Sequence, residues 1–353
     1  MPLLLLLPSG SAIPAAGVRS VTGAPQLSIG KYPMHQDAGV RRCQPKMRVP
    51  STAPTCSMAR FQPLHGIRIL SLALNLPGPA ALVRCRRMGA TCTKLEPPSG
   101  DPMGHYNTGA YGELHEGVKV LQADLKTAQG QEVLQRELAR TDVLLSSFRP
   151  SALARLGLGW KDLHSRHPSL SHVAIVGAPG ARAEEPGHDL TYLAGHDLVP
   201  GLELPATLYA DMGGSLLAAE AVLQAALRKH ERYAGTGDPH PEGLYLEVAL
   251  SDAAAYLALP RRWGLTQPTG SVGGAHAGYR IYPCRDGRVA VAALEPHFAH
   301  ALCAAAGVER SDHRAMFAPA THAAIAAFFA SQTRAELDFL AVEKDLPLQT
   351  LPA

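Results

Sequence analysis

The sequence is short of several things, and each shortage excludes a class of protein. Aromatic residues fill only 5% of its 353 positions, and no long run of Lys or Arg occurs. Nucleic-acid binding through stacking platforms or a basic stripe is therefore not expected. No apolar stretch approaches the roughly 20 residues that cross a bilayer, so no membrane partner is expected either. Six cysteines (Cys43, Cys56, Cys85, Cys92, Cys284 and Cys303) include no C-x-x-C pair. They are too few for a disulfide scaffold and wrongly spaced for a zinc ribbon. The expectation is reduced thiols and no metal. No G-x-G-x-x-G or G-x-x-x-x-G-K-[ST] motif is present, so neither a dinucleotide site nor a P-loop is indicated.

Charge is unevenly placed. The formal total is +3, yet residues 1–57 alone carry six Lys/Arg against the single acid Asp37. This basic leader is interrupted by Pro25, Pro33, Pro45, Pro50 and Pro54. It reads as an unstructured or targeting segment, or as sequence ahead of a working start at Met58. A cytoplasmic location is expected, or a mitochondrial one if the leader is a targeting peptide.

From residue 64 onward, short apolar runs alternate with amphipathic ones. Strands are expected at 66–74, 91–96, 118–125, 142–148, 170–177 and 243–250. Helices are expected at 80–88, 129–140 and from 208 to about 233, and another begins at Ser251. Pro77-Gly78-Pro79 reads as a turn, and 99–117 as a polar loop. Alternation of this kind argues for a doubly wound, Rossmann-like α/β domain over 58–263. Residues 264–278 are rich in Gly, Ser and Thr and read as a linker. Residues 279–353 read as a smaller α+β domain. It opens with a hairpin about Asp286-Gly287, followed by helices near 296–306, 323–331 and 334–342.

Three ionisable residues stand out by context. His188 opens a helix after a Gly/Pro-rich loop, and an imidazole can accept a proton near neutral pH. Asp211 starts the long apolar helix and is followed by Met212-Gly213-Gly214, which would let substrate or backbone come close. Glu295 ends an apolar strand and precedes Pro296. Spacing alone leaves each with a plainer role, as a helix cap or a first-turn acid.

Ordered matches along the chain raise those roles. They comprise Gly66-Ile67-Arg68-Ile69-Leu70 with Pro77-Gly78-Pro79, Lys94-Leu95-Glu96-Pro97-Pro98, and Ala123-Asp124-Leu125-Lys126. Asp142-Val143-Leu144 leads to Phe148-Arg149-Pro150 and Leu156-Gly157-Leu158-Gly159. Pro186-Gly187-His188-Asp189-Leu190 with Tyr192-Leu193, Ala210-Asp211-Met212-Gly213-Gly214, Cys284-Arg285-Asp286-Gly287-Arg288 and Leu294-Glu295-Pro296-His297-Phe298 complete the set. From about residue 60 to 346 the chain resembles the family III CoA transferases (CaiB/BaiF), and within them the α-methylacyl-CoA racemases.

The resemblance implies an acyl-CoA thioester as substrate, with no cofactor beyond the CoA it carries. It implies Asp211 as nucleophile in a transferase or as acid/base in a racemase. His188 would be the second base, with Glu295 in support, and backbone N–H groups at Asp211–Gly213 would stabilise the enolate. Arg149 and Lys126 would meet the CoA phosphates. The family forms interlocked homodimers, in which Glu295 of one subunit would serve the His188 of the other. The leading expectation is a two-base racemase. Alternatives are CoA transfer through an Asp211 anhydride and a silent CoA-binding relative. Three departures bear on this. Pro97 stands where many relatives have Arg, the loops before His188 and Asp211 are short, and the sequence ends at Ala353 where family members return to the large domain.

Overall fold

A computed structural model of the protein describes residues 61–230 and 242–353. The expected leader, and the end of the long helix beyond His230, lie outside the described residues.

Six strands form one sheet: β1 (Arg68–Ser71), β2 (Thr91–Glu96), β3 (Lys119–Gln122), β4 (Val143–Ser146), β5 (Ser171–Val176) and β6 (Tyr245–Ala249). Their order is β3-β2-β1-β4-β5-β6, with every neighbouring pair parallel. β4 and β5 are buried along their whole length. That is why they read as unbroken apolar runs: a parallel sheet is covered on both faces.

The cover consists of α1 (Pro77–Arg87), α2 (Met103–Tyr106), α3 (Thr108–Leu114), α4 (Ala128–Leu138), α5 (Pro150–Arg155), α6 (Trp160–Arg166), α7 (Asp189–Ala194), α8 (Tyr209–His230), α9 (Leu250–Leu257) and α10 (Leu259–Arg262). Successive strand residues point to opposite faces. Ile69, Val143, Leu145 and Ile175 pack with α1 and α8, through Leu82, Cys85, Ala218 and Val222. Leu70 and Leu144 pack with α4, α5 and α6, through Leu134, Leu138, Leu153 and Leu163.

This division fixes the hand of the crossovers. β1 to β2 steps one way across the sheet beneath α1, whereas β3 to β4 and β4 to β5 step the other way beneath the opposite layer. All three share one hand. β5 to β6 continues in the direction of β4 to β5, but α8 crosses on the α1 face. It therefore has the opposite hand, the uncommon left-handed one. The start of α8 is thereby brought to the same side as the loop between β1 and α1.

Two local expectations change. Pro77-Gly78-Pro79 is the first turn of α1 rather than a turn before it. Prolines suit that position because first-turn N–H groups have no helical partner. Gly78 lets the helix start close against the strand end, where an added Cβ would lie 2.1 Å from the Ala73 Cβ. Residues 99–117 are not a plain loop, since they hold α2 and α3. Asn107 accepts from the Ala110 N–H to start α3, which buries no side chain. A helix with no apolar face has no periodicity to read.

A charged knot ties this segment down. The Lys94 ammonium is fully buried. It pairs with Asp101, lies 3.1 Å from Glu96 Oε1 and 2.8 Å from His115 Nε2. Asp101 in turn accepts from the Asn75 N–H at 3.1 Å and the Met103 N–H at 2.9 Å. The Tyr111 hydroxyl donates to Glu96 at 3.0 Å. Burial holds the His115 imidazole below its ordinary pKa. Asn75 has φ 62°, so this knot clamps a left-handed backbone at the end of β1.

The smaller domain holds an antiparallel sheet, β7 (Tyr279–Cys284), β8 (Gly287–Ala292) and β9 (Leu348–Leu351), in the order β7-β8-β9. α11 (Pro296–Ala305), α12 (Pro319–Ser331) and α13 (Arg334–Glu343) cover one face, packing Leu302, Ile325, Phe329 and Leu337 on Tyr282, Val289 and Val291. This core shares no residue with those of the large sheet. The hairpin turn is Arg285-Asp286, because Gly287 already pairs with Cys284. The glycine serves the neighbouring strand instead: a Cβ there would lie 2.3 Å from the Leu351 carbonyl oxygen. β9 was not expected from the sequence. No helix among the described residues is long and apolar enough to cross a membrane.

The knot gives a first prediction. Lys94→Met leaves two buried carboxylates without their cation and should cost about 3–5 kcal/mol of stability. Urea unfolding checks it; a loss within error of zero would show that the ammonium is dispensable.

Candidate active site

The order of the large sheet reverses between β1 and β4. Helices leave those two strands toward opposite faces, so a crevice opens at their carboxyl ends, where open α/β sheets bind ligands. A cleft of about 540 Å³ occupies it. Its walls come from the loop after β1, the β4–α5 junction, the end of β5, and the starts of α7, α8 and α9.

His188, Asp211 and Arg149 all line this cleft. Asp211 sits in the first turn of α8 and His188 immediately precedes α7. Asp189, buried at the start of α7, accepts the Asp211 N–H at 3.0 Å. One hydrogen bond thus fixes the two helix starts against each other. Burial raises the Asp211 carboxyl, and the Asp189 charge raises it further, to about 6, against a smaller lowering by His188. A carboxylate so placed is poised for proton transfer near neutral pH.

His188 is the N-cap residue of α7, in a capping box with Thr191. Its N–H donates to the Thr191 hydroxyl oxygen at 3.0 Å, and that hydroxyl donates to the His188 carbonyl at 2.7 Å. The ring is exposed on the cleft wall.

Other expected roles shift. The Asp211 N–H is committed to Asp189 and the Met212 N–H to the Leu208 carbonyl. Neither is open to a substrate oxygen. Gly213 and Gly214 face a helix rather than a ligand: Cβ atoms there would lie 3.2 Å from Leu257 and 2.3 Å from Leu250 of α9. They let α9 lie close on α8. Lys126 is exposed beyond β3 and does not line the cleft. Glu295 caps α11 in the smaller domain, exposed rather than buried, and does not line the cleft either.

Tyr106, Tyr192 and Asn75 line the cleft and carried no individual signal in the sequence. Tyr192 stood with Leu193 among the ordered matches, without a role of its own. Among the described residues one group could offer metal ligands, Glu96, Asp101 and His115, but the Lys94 ammonium already contacts all three.

The family model for CoA-transferase family III matches residues 64–352. The chain belongs to that family. Succinyl-CoA–D-citramalate CoA-transferase of Chloroflexus aurantiacus is 29% identical over 241 residues, 64% of this chain and 60% of its own length. Alpha-methylacyl-CoA racemase of Mus musculus is 29% identical over 300 residues, 77% of this chain and 73% of its own. The crystal structure of hypothetical protein Rv3272 from Mycobacterium tuberculosis superposes with a TM-score of 0.69 at 24% identity, over 83% of this chain and 86% of that one; this likeness concerns the fold. CoA-transferase family III is a family of enzymes, and its relatives include both transferases and racemases.

Asp211 gives a second prediction. Its raised native pKa means that the folded chain holds the proton more tightly than the unfolded one. Stability from this group is full below about pH 3.8 and is lost as pH rises toward about 6. Asp211→Asn removes that loss. Its melting temperature should match wild type near pH 4 and exceed it at pH 7; an advantage that does not grow with pH would contradict the burial of this carboxyl.

Proposed function

We propose that this family III chain acts on acyl-CoA thioesters at Asp211 and moves CoA between carboxylic acids. The observation that carries the reading is the desolvated Asp211 carboxylate in the crevice cleft, which the Arg149 cation also lines. The family description and the named transferases among the relatives support it.

An Asp211 carboxylate oxygen adds to the thioester carbonyl, the C–S bond breaks, and CoA thiolate leaves with a mixed anhydride behind. Thiolate attacks the Asp211 carbonyl of that anhydride, releasing the first carboxylate and leaving an aspartyl-CoA thioester. An acceptor carboxylate attacks this thioester and re-forms thiolate beside a new anhydride. Thiolate then attacks the new acyl carbonyl, which yields the product thioester and frees Asp211. Arg149 would hold CoA phosphate through its planar, bidentate donors. Lys126, outside the cleft, would meet CoA only along the far part of a bound nucleotide.

One observation favours a second reading. His188 and Asp211 share the cleft, and removal of an α-proton on one face with return on the other needs two acid/base groups. Epimerisation of a 2-methylacyl-CoA is the racemase form of that chemistry. Glu295 would then act on His188 from a second copy of the chain in a homodimer, because within one chain it does not line the cleft.

The readings separate cleanly. Transfer predicts that hydroxylamine, added with acyl-CoA, converts Asp211 to its hydroxamate, read by peptide mass. Racemisation predicts no hydroxamate, solvent deuterium at the α-carbon, and a loss of about 100-fold or more in that exchange for His188→Ala. Absence of both signals across a panel of acyl-CoAs would reject both readings.

A further inference from the structure

We propose that Tyr192 is the hydrogen-bond donor to the thioester carbonyl oxygen. The proposal rests on the acyl-CoA reading above but not on the choice between transfer and racemisation. Both routes put negative charge on that oxygen. Attack by Asp211 makes a tetrahedral alkoxide, and loss of the α-proton makes an enolate. In each case the phenol proton stays on Tyr192, and only a hydrogen bond strengthens. Such donors act where charge develops in the transition state.

The Asp211 and Met212 amides at the start of α8 are already committed to Asp189 and Leu208, so those two offer no donor to the substrate oxygen. Asn75, Tyr106, Arg149 and His188 line the cleft but are exposed. A donor whose side chain stays solvated must be reordered at the moment of reaction. Tyr192 is half-buried, and its ring packs against the cluster of Leu193, Ala210 and Ala254.

The backbone around it is shaped to admit the ring. A Cβ on Gly177, just past β5, would lie 2.3 Å from the Tyr192 hydroxyl oxygen. A Cβ on Gly187 would lie 2.6 Å from the same oxygen. Both approaches are far inside van der Waals contact, so a side chain at either place would displace the Tyr192 ring. The phenol is thus gripped between the end of β5 and the residue before His188. Despite that grip, its hydroxyl meets no hydrogen-bond partner among the described residues. A fixed, unpartnered O–H on the wall that carries Asp211 matches what an oxyanion donor requires. Burial, with the Asp211 charge next, raises the phenol above its ordinary value, so it keeps its proton while Asp211 titrates.

The test uses Tyr192→Phe, which removes one oxygen and keeps the ring. A 2-methylacyl-CoA carrying 13C at the thioester carbonyl is bound to wild type and variant, and the carbonyl stretch is read by difference infrared. Wild type should show a downshifted stretch, and Tyr192→Phe should lose that downshift. For whichever reaction wild type performs, kcat should fall about 100-fold or more with KM little changed. Gly187→Ala keeps the hydroxyl but displaces the ring, and should also lose the downshift; it carries the test if Tyr192→Phe does not fold. A downshift equal to wild type in a folded variant overturns the donor role and leaves the acyl-CoA reading standing. A wild-type chain that binds no acyl-CoA overturns both.

Discussion

Neighbouring parallel strands whose following helices leave toward opposite faces are the constraint on which the site depends. β1 and β4 are such a pair, and the crevice between them follows from the order of the sheet. Everything at the site is fastened to that crevice. The loop after β1 is held by Asp101 and, behind it, by the buried Lys94 ammonium. The starts of α7 and α8 are held by the hydrogen bond from Asp211 to Asp189. Both fastenings use carboxylates removed from water: Asp101 meets a cation and several donors, and Asp189 accepts the Asp211 N–H. Buried charge is tolerated only on those terms.

The left-handed step from β5 to β6 gives the crevice its second wall. A right-handed step would have put α8 on the far layer, with α5 and α6. Crossing on the α1 face instead places Asp211 opposite the Asn75 loop. The small residues of α8 make this possible. Gly214, Ala218 and Ala225 are buried, and with Gly213 they let the helix lie tightly between α1 and α9. Of the two uses the sequence left open for these glycines, substrate or backbone approach, the structure shows room for a neighbouring helix.

Much of the large domain was legible because its strands are buried on both faces. β2 falls at 91–96, as its apolar run and the prolines after it indicate, and β4, β5 and the start of α8 lie within a few residues of their expected bounds. What was not legible lacked periodicity. α2 and α3 bury almost nothing between them, and β9 is four residues of mixed exposure at the end of the chain. The Pro77-Gly78-Pro79 segment failed for another reason: its residues break a helix in the middle and favour one at the start, and sequence shows the residues without the boundary.

By itself the sequence determined the α/β class, the family, and the identities of His188 and Asp211 as a pair worth watching. Local patterning and ordered motifs were enough for that. Only the tertiary structure decided which groups remain available for chemistry. It committed the Asp211 and Met212 amides to Asp189 and Leu208, left Glu295 outside the cleft of its own chain, and raised the Asp211 carboxyl to about 6 through burial. Desolvation, and competition for hydrogen-bond partners, depend on residues far apart in the chain. No spacing rule along a sequence can state them.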